Sequence, residues 1–176
     1  MEKYAVKTEG TVSLLQHRFE EPATDDPGKR KPGVPDYSHE WEKALYKMED
    51  GTIYQPSEHI EGAMVRAAAN FQITGKGKKT YKDLVKSAVM IEPNFIPHKF
   101  QEFVIDRRMV RVQRARIMRE RPRFDKWALE FQVIITEDQL SGAMLKEILD
   151  YAGRYMGIGD YRPKYGRFQV THWAKV

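Results

Sequence analysis

Eight arginines stand in the twenty-one residues DRRMVRVQRARIMRERPRFDK (106–126), against three acidic residues. A guanidinium group is permanently charged and forked to match phosphate oxygens, so this density is chemistry suited to a polyanion. If the run is extended, Arg107 and Arg111 share a face with Met109 and Gln113, while Arg108, Arg114 and Arg116 share the other with Val110 and Val112. On an open sheet beside aromatic rings, such a face holds single-stranded nucleic acid. On a solvated edge strand, the same arginines would pair with carboxylates and deter edge-to-edge pairing. Arg107, Arg111, Arg114 and Arg116 are the candidate contacts of this segment.

Two further stretches combine glycine with positive charge. In GIGDYRPKYGRFQV (157–170), Gly157, Gly159 and Gly166 frame Arg162, Lys164 and Arg167. Glycine permits backbone shapes and close approaches that a Cβ forbids, so this loop can either make a turn alone or cradle an anion. In TGKGKKTYKDLVK (74–86), Lys76, Lys78 and Lys79 crowd a flexible loop. It is not a Walker loop, because the position that needs the first glycine holds Gln72. It reads equally as a phosphate-contacting loop and as an ordinary lysine-rich surface loop.

Signals for catalysis are sparse. The histidines, His17, His39, His59, His98 and His172, lie far apart in the chain and match no metal-binding spacing. Asp25 and Asp26 could bind a divalent ion or serve as a base, and an acidic pair in a polar loop is also often merely solvated. With no cysteine in the chain, disulfides and thiolate metal sites are excluded. No metal and no cofactor is expected.

The frame for these residues is a chain of 176 residues with a formal net charge of +5, enough for one domain, here taken as 1–176. MEKYAVKTEG has no apolar signal core, and no run approaches the length of a membrane span, so a cytoplasmic protein without a membrane partner is expected. Residues 4–19 read as a long first strand kinked at Gly10. Residues 20–40, with four prolines and many charges, read as a mobile insertion. Asp50-Gly51 marks a tight hairpin turn. Ile60, Ala63, Met64, Ala67, Ala68 and Phe71 fall on one face of a helix entered at Ser57 as N-cap.

Trp127, Leu129, Phe131, Val133 and Ile135 alternate with Glu130 and Gln132, the pattern of a half-buried strand. A second helix follows, with Thr136 and Gln139 as its capping box. Its stripe is Leu140, Ala143, Met144, Ile148, Ala152 and Tyr155, and Gly157 is its left-handed stop. Taking 103–118 as another long strand and 165–173 as the last, the order is strand, helix, two strands, helix, strand. That is an α+β, ferredoxin-like βαββαβ arrangement: an antiparallel sheet with both helices on one face.

Two motifs within this order resemble the RAMP superfamily, the RRM-like backbone subunits of CRISPR effector complexes and their stand-alone or viral relatives. Pro56-Ser57, followed by Gly62, Ala63 and Arg66, resembles that superfamily's entry into its first helix. GIGDYRPKYGRFQV resembles its C-terminal glycine-rich loop. The resemblance implies binding of RNA or other single-stranded nucleic acid through the loop, the open sheet and a projecting thumb, with assembly into an oligomer or a ribonucleoprotein. Because some members cleave RNA with a thumb aspartate or a histidine of the first segment, it also makes His17, Asp25 and Asp26 candidates.

Three functions follow. The first is a non-enzymatic module for single-stranded nucleic acid, RNA favoured, held by a basic sheet face and the glycine-rich loop. The second is a protein that sequesters a small nucleotide signal, as a virus-encoded counter-defence would. The third is an endoribonuclease.

Overall fold

The computed structural model describes residues 1–18, 40–112 and 115–176. In chain order the elements are β1 (Glu2–Gly10), β2 (Leu14–Leu15), α1 (Glu40–Ala44), β3 (Tyr54–Pro56), α2 (Ser57–Ala68), α3 (Lys82–Ala88), β4 (Val89–Glu92), β5 (Phe95–Pro97), β6 (Val104–Val112), β7 (Ala115–Phe124), β8 (Ala128–Ile135), α4 (Gly142–Tyr151) and β9 (Phe168–Lys175). A π-helical turn, Ala152–Met156, prolongs α4.

The main sheet has the order β4-β8-β1-β9, and its neighbours all pair antiparallel. With α2 between β1 and β4, and α4 between β8 and β9, this is the ferredoxin-like arrangement, its central strands β1 and β8 far apart in sequence. The expected alternation places Leu129, Phe131, Val133 and Ile135 of β8 against the helices, where all are buried. Ile60, Ala63, Met64, Ala67 and Ala68 form the buried face of α2, and Leu145, Ile148, Leu149 and Ala152 that of α4 and its extension. These residues pack into one core.

The second strand of the unit is β4, not residues 103–118. Val89–Glu92 is too short for its alternation to stand out, and Pro93 ends it. The arginine-rich run forms the hairpin β6–β7, inserted between β4 and β8, and β2 pairs with it in the order β2-β7-β6. Its register sets Val112 opposite Ala115. A strand with arginine on both faces cannot bury either face under helices, and so it leaves the main sheet.

Smaller departures have equally local causes. The first strand stops at Gly10, where a Cβ would lie 2.2 Å from Nε1 of Trp127, and the chain then joins the hairpin through β2. Pro56, not Ser57, is the cap of α2, while the Ser57 amide donates to the Asn94 carbonyl at 2.9 Å. The cap of α4 is Ser141, whose hydroxyl accepts from the Met144 amide at 3.2 Å. Thr136 is engaged elsewhere, donating through its hydroxyl to the Ala88 carbonyl. Tyr155, expected in the core, is 50% exposed, because the π-helical turn rotates it off the buried stripe. The turn at Asp50-Gly51 is as expected: Gly51 has φ 92° and Lys47 bridges Ile53. The insertion expected at 20–40 falls, except for Glu40, outside the described residues.

Candidate nucleic-acid interface

Within the hairpin, the register puts Arg108 opposite Arg119, and Arg111 opposite Arg116. Like charges facing one another across strands repel, so the hairpin must carry counter-charges. Asp106 is the chief one. It is buried, accepts from Arg108 Nε and Nη2, and pairs with Arg123 at 3.1 Å. Those bonds, Arg108 first, hold its carboxyl below the usual range. Arg107 meets Glu120 at 2.7 Å, Arg119 meets Glu40, and Arg123 also meets Asp125 at 2.8 Å. Met109 and Met118, a cross-strand pair, remain 62% and 49% exposed.

The glycine-rich loop is built on the protein's own backbone. Gly157, Gly159 and Gly166 all have positive φ, at 66°, 75° and 72°. The Ile158 amide donates to the Gly166 carbonyl, Asp160 to Leu15 and Gly166 to Ser13, each at 2.9 Å. A Cβ on Gly159 would fall 2.5 Å from the Leu15 carbonyl oxygen, and one on Gly166 only 1.8 Å from that of Ile158. These glycines have a role within the fold itself. They let the loop fold tightly and dock on residues 13–15, which leaves Arg162, Lys164 and Arg167 exposed around it.

The hairpin and the loop meet. The Arg108 guanidinium lies 4.7 Å from the ring centre of Tyr165 and 5.9 Å from that of Tyr161, and it donates to the Tyr165 hydroxyl. Arg121, from the same hairpin face, lies 5.0 Å from the Tyr161 ring and 2.8 Å from Asp160. His17 Nδ1 is 3.8 Å from that carboxylate. Arg162 of the loop also acts electrostatically on His59 and Arg66 of α2. Burial and then Arg162 push the His59 ring below its ordinary pKa, and the same two causes lower Arg66. Two arginines of the hairpin, Arg108 and Arg121, thus approach the exposed ring of Tyr161.

The candidates separate accordingly. Arg162, Lys164, Arg167 and His17 belong to this surface, while Arg107, Arg111 and Arg116 lie on the hairpin's other face. Arg114, Asp25 and Asp26 lie outside the described residues. Lys76, Lys78 and Lys79 are exposed, but Lys76 donates to Gln139 at 2.6 Å, just before α4 begins. The glycine-rich loop follows the opposite end of α4, which is about 15 Å long. Tyr161, Tyr165, Arg108, Arg121 and Asp160 were not singled out from the sequence. The Tyr-x-x-x-Tyr spacing around Arg162 was a readable sign of the rings, but nothing local pairs Arg121 with Asp160.

The open face of the main sheet is not the basic face expected. Lys7 pairs with Glu130 at 3.1 Å and Lys3 with Glu92 at 3.3 Å, and His172 stands opposite Lys7. Among the described residues, no cluster of three or more acidic or histidine side chains could hold a metal ion. Nor is any described helix long and apolar enough to cross a membrane.

Solved structures resemble the chain in fold. The chain matches, over 99% of its length, a protein in the structure of a Type III-B Cmr-beta complex bound to cognate target RNA, with a TM-score of 0.65 and 11% identity. It also aligns with a CRISPR protein from Archaeoglobus fulgidus, at a TM-score of 0.46 and 15% identity. The likeness to the Cmr-beta complex protein is one of fold. The chain spans 60% and 64% of the lengths of those two proteins. No family model matches the sequence, and no curated protein does.

Proposed function

We propose that this protein binds single-stranded nucleic acid, RNA in preference, on the surface where the β6–β7 hairpin meets the glycine-rich loop, and that it does so as a subunit of a ribonucleoprotein assembly. The observation that carries the reading is the convergence on Tyr161 of Arg108 and Arg121, beside the exposed Arg162, Lys164 and Arg167. Cations track the phosphates and a ring offers a stacking face, which together hold a strand without reading its sequence. The fold likeness to a protein in an RNA-bound Cmr-beta complex supports RNA over DNA. On the hairpin's other face, Arg107, Arg111 and Arg116 supply further charge. The lysine loop, Lys76, Lys78 and Lys79, acts as a separate, weaker attractor. The fold is that of one RAMP-like domain.

His17 beside Asp160 supports a second reading, cleavage of the strand, with the imidazole taking the proton of a 2′-hydroxyl. Binding should be measured against single-stranded RNA, single-stranded DNA, duplex and a cyclic dinucleotide, each across a range of salt. A strand held by several phosphate contacts loses affinity steeply with salt, at a logarithmic slope of about −0.7 per contact. A shallow slope with tight binding of the dinucleotide alone would replace this function by sequestration of a nucleotide signal. Shortened RNA after incubation would establish cleavage.

A further inference from the structure

The hairpin arginines Arg107, Arg108, Arg121 and Arg123 are each met by a carboxylate of the protein itself. Arg154 and Arg167 are different: both are exposed, and among the described residues neither has a carboxylate partner. Yet they line one cleft, of about 510 Å³, between the end of α4 and the start of β9. Arg154 belongs to the π-helical turn, a rare geometry that recurs at functional sites. At its neighbour Gly153 a Cβ would fall 2.4 Å from the Phe168 carbonyl oxygen and 2.8 Å from the Phe168 ring, so glycine is what lets the turn close on β9. Arg167 immediately precedes β9. Its Nε donates to the Pro163 carbonyl at 2.6 Å, which fixes the guanidinium and leaves its terminal nitrogens without a bond among the described residues.

Lys146 and Asp150, one turn apart on α4, line the same cleft and pair with each other at 2.7 Å. Their charges cancel, so the cleft keeps the two positive charges of its arginines. Two guanidinium forks held on separate elements suit a group with two negative charges and several acceptor oxygens. A phosphate monoester carries about two negative charges near pH 7, whereas a phosphodiester or a carboxylate carries one. The volume is that of a small-molecule cleft and exceeds what a bare ion fills. We infer that the cleft between the π-helical turn and β9 binds a phosphate monoester, the terminal phosphate of a nucleotide. The anion site stands on the cleft alone. Its assignment to a nucleotide rests on the proposed function, because Arg167 is shared with the surface on which the strand lies. Two sources carry that group, a free mononucleotide and the phosphorylated end of an RNA strand.

The test titrates the protein with adenosine 5′-monophosphate, adenosine and O-phosphoserine, and then with one short single-stranded RNA bearing a 5′-phosphate, a 3′-phosphate or hydroxyls at both ends. If the source is a free nucleotide, the monophosphate should bind and adenosine should not. If it is the end of a strand, a phosphorylated RNA should bind on the order of ten-fold more tightly than the unphosphorylated one. Arg154→Gln removes one guanidinium at an exposed position outside the surface proposed for the strand, so the variant should fold. It should lose the discrimination and keep the parent's affinity for unphosphorylated RNA, while Arg154→Lys should retain part of the discrimination. The inference is overturned if the parent prefers neither the monophosphate nor a phosphorylated end, if the preference survives in Arg154→Gln, or if O-phosphoserine binds more tightly than the monophosphate. Should the parent bind no RNA at all, the function proposed above fails, and the monophosphate titration alone decides the cleft.

Discussion

The two faces on which this fold could display charge differ in how that charge is disposed. On the open face of the main sheet, Lys3 and Lys7 are each met by a glutamate, and the surface is close to neutral. Around the glycine-rich loop, Arg162, Lys164 and Arg167 stand exposed while Arg108 and Arg121 are braced by Asp106, Asp160 and two tyrosines. The difference teaches that the charge of such a fold need not gather on its sheet. Here an inserted hairpin and a loop carry the excess of cations, and the sheet serves as scaffold.

The comparison breaks most completely if its scaffold breaks. Gly166→Val sets a β-branched side chain at φ 72°, with its Cβ 1.8 Å from the Ile158 carbonyl oxygen. It should cost on the order of 3 kcal/mol or more. Thermal unfolding would register this as a fall in Tm, and an unchanged Tm would mean that the loop is not docked as described. Gly159→Val, which meets the Leu15 carbonyl, should follow it with a smaller fall.

Acid separates folding from binding. Burial holds the His98 ring down to about 4, against an ordinary 6.5, so it is neutral in the folded chain while the unfolded chain takes up its proton first. The stability this group protects is complete above about pH 6.5 and is lost as pH falls toward 4, by about 2 to 3 kcal/mol. Urea unfolding at pH 7 and pH 4.5 should show that loss in the parent and a smaller one in His98→Gln. Equal losses in both would remove His98 from the account.

A smaller effect sharpens the contrast between the two basic loops. Lys78→Ala with Lys79→Ala should lower RNA affinity by less than the loss of Arg162 alone, since the lysine loop lies at the far end of α4 from the glycine-rich loop. A greater loss at the lysines would move the main contact there.

Much of the frame was legible because its signals are periodic. The alternation in Trp127–Ile135 and the i, i+3, i+4 stripe from Ile60 identify a central strand and a core helix without any tertiary knowledge. The second strand was not legible, because Val89–Glu92 has only four residues, and the arginine run beside it is longer and more regular. The three cationic segments were legible by composition alone. That the hairpin and the glycine-rich loop form one surface, and that the lysine loop stands apart, depends on contacts such as Arg108 with Tyr165, fifty-seven residues apart. What the glycines do not reveal in the sequence is how closely the carbonyls of Leu15, Tyr165 and Ile158 approach them.

The salt dependence of RNA affinity in two double variants tests the central claim most directly. One removes two exposed cations from the surface where the loop meets the hairpin, Arg162→Ala with Lys164→Ala. The other removes Lys3 and Lys7 from the sheet. If the strand lies along the hairpin and the loop, the first variant should flatten the logarithmic salt slope by about 1.4, two single-strand phosphate contacts, and the second should leave it unchanged. A slope that flattens only when Lys3 and Lys7 are removed would contradict the account and return the binding site to the open face of the sheet.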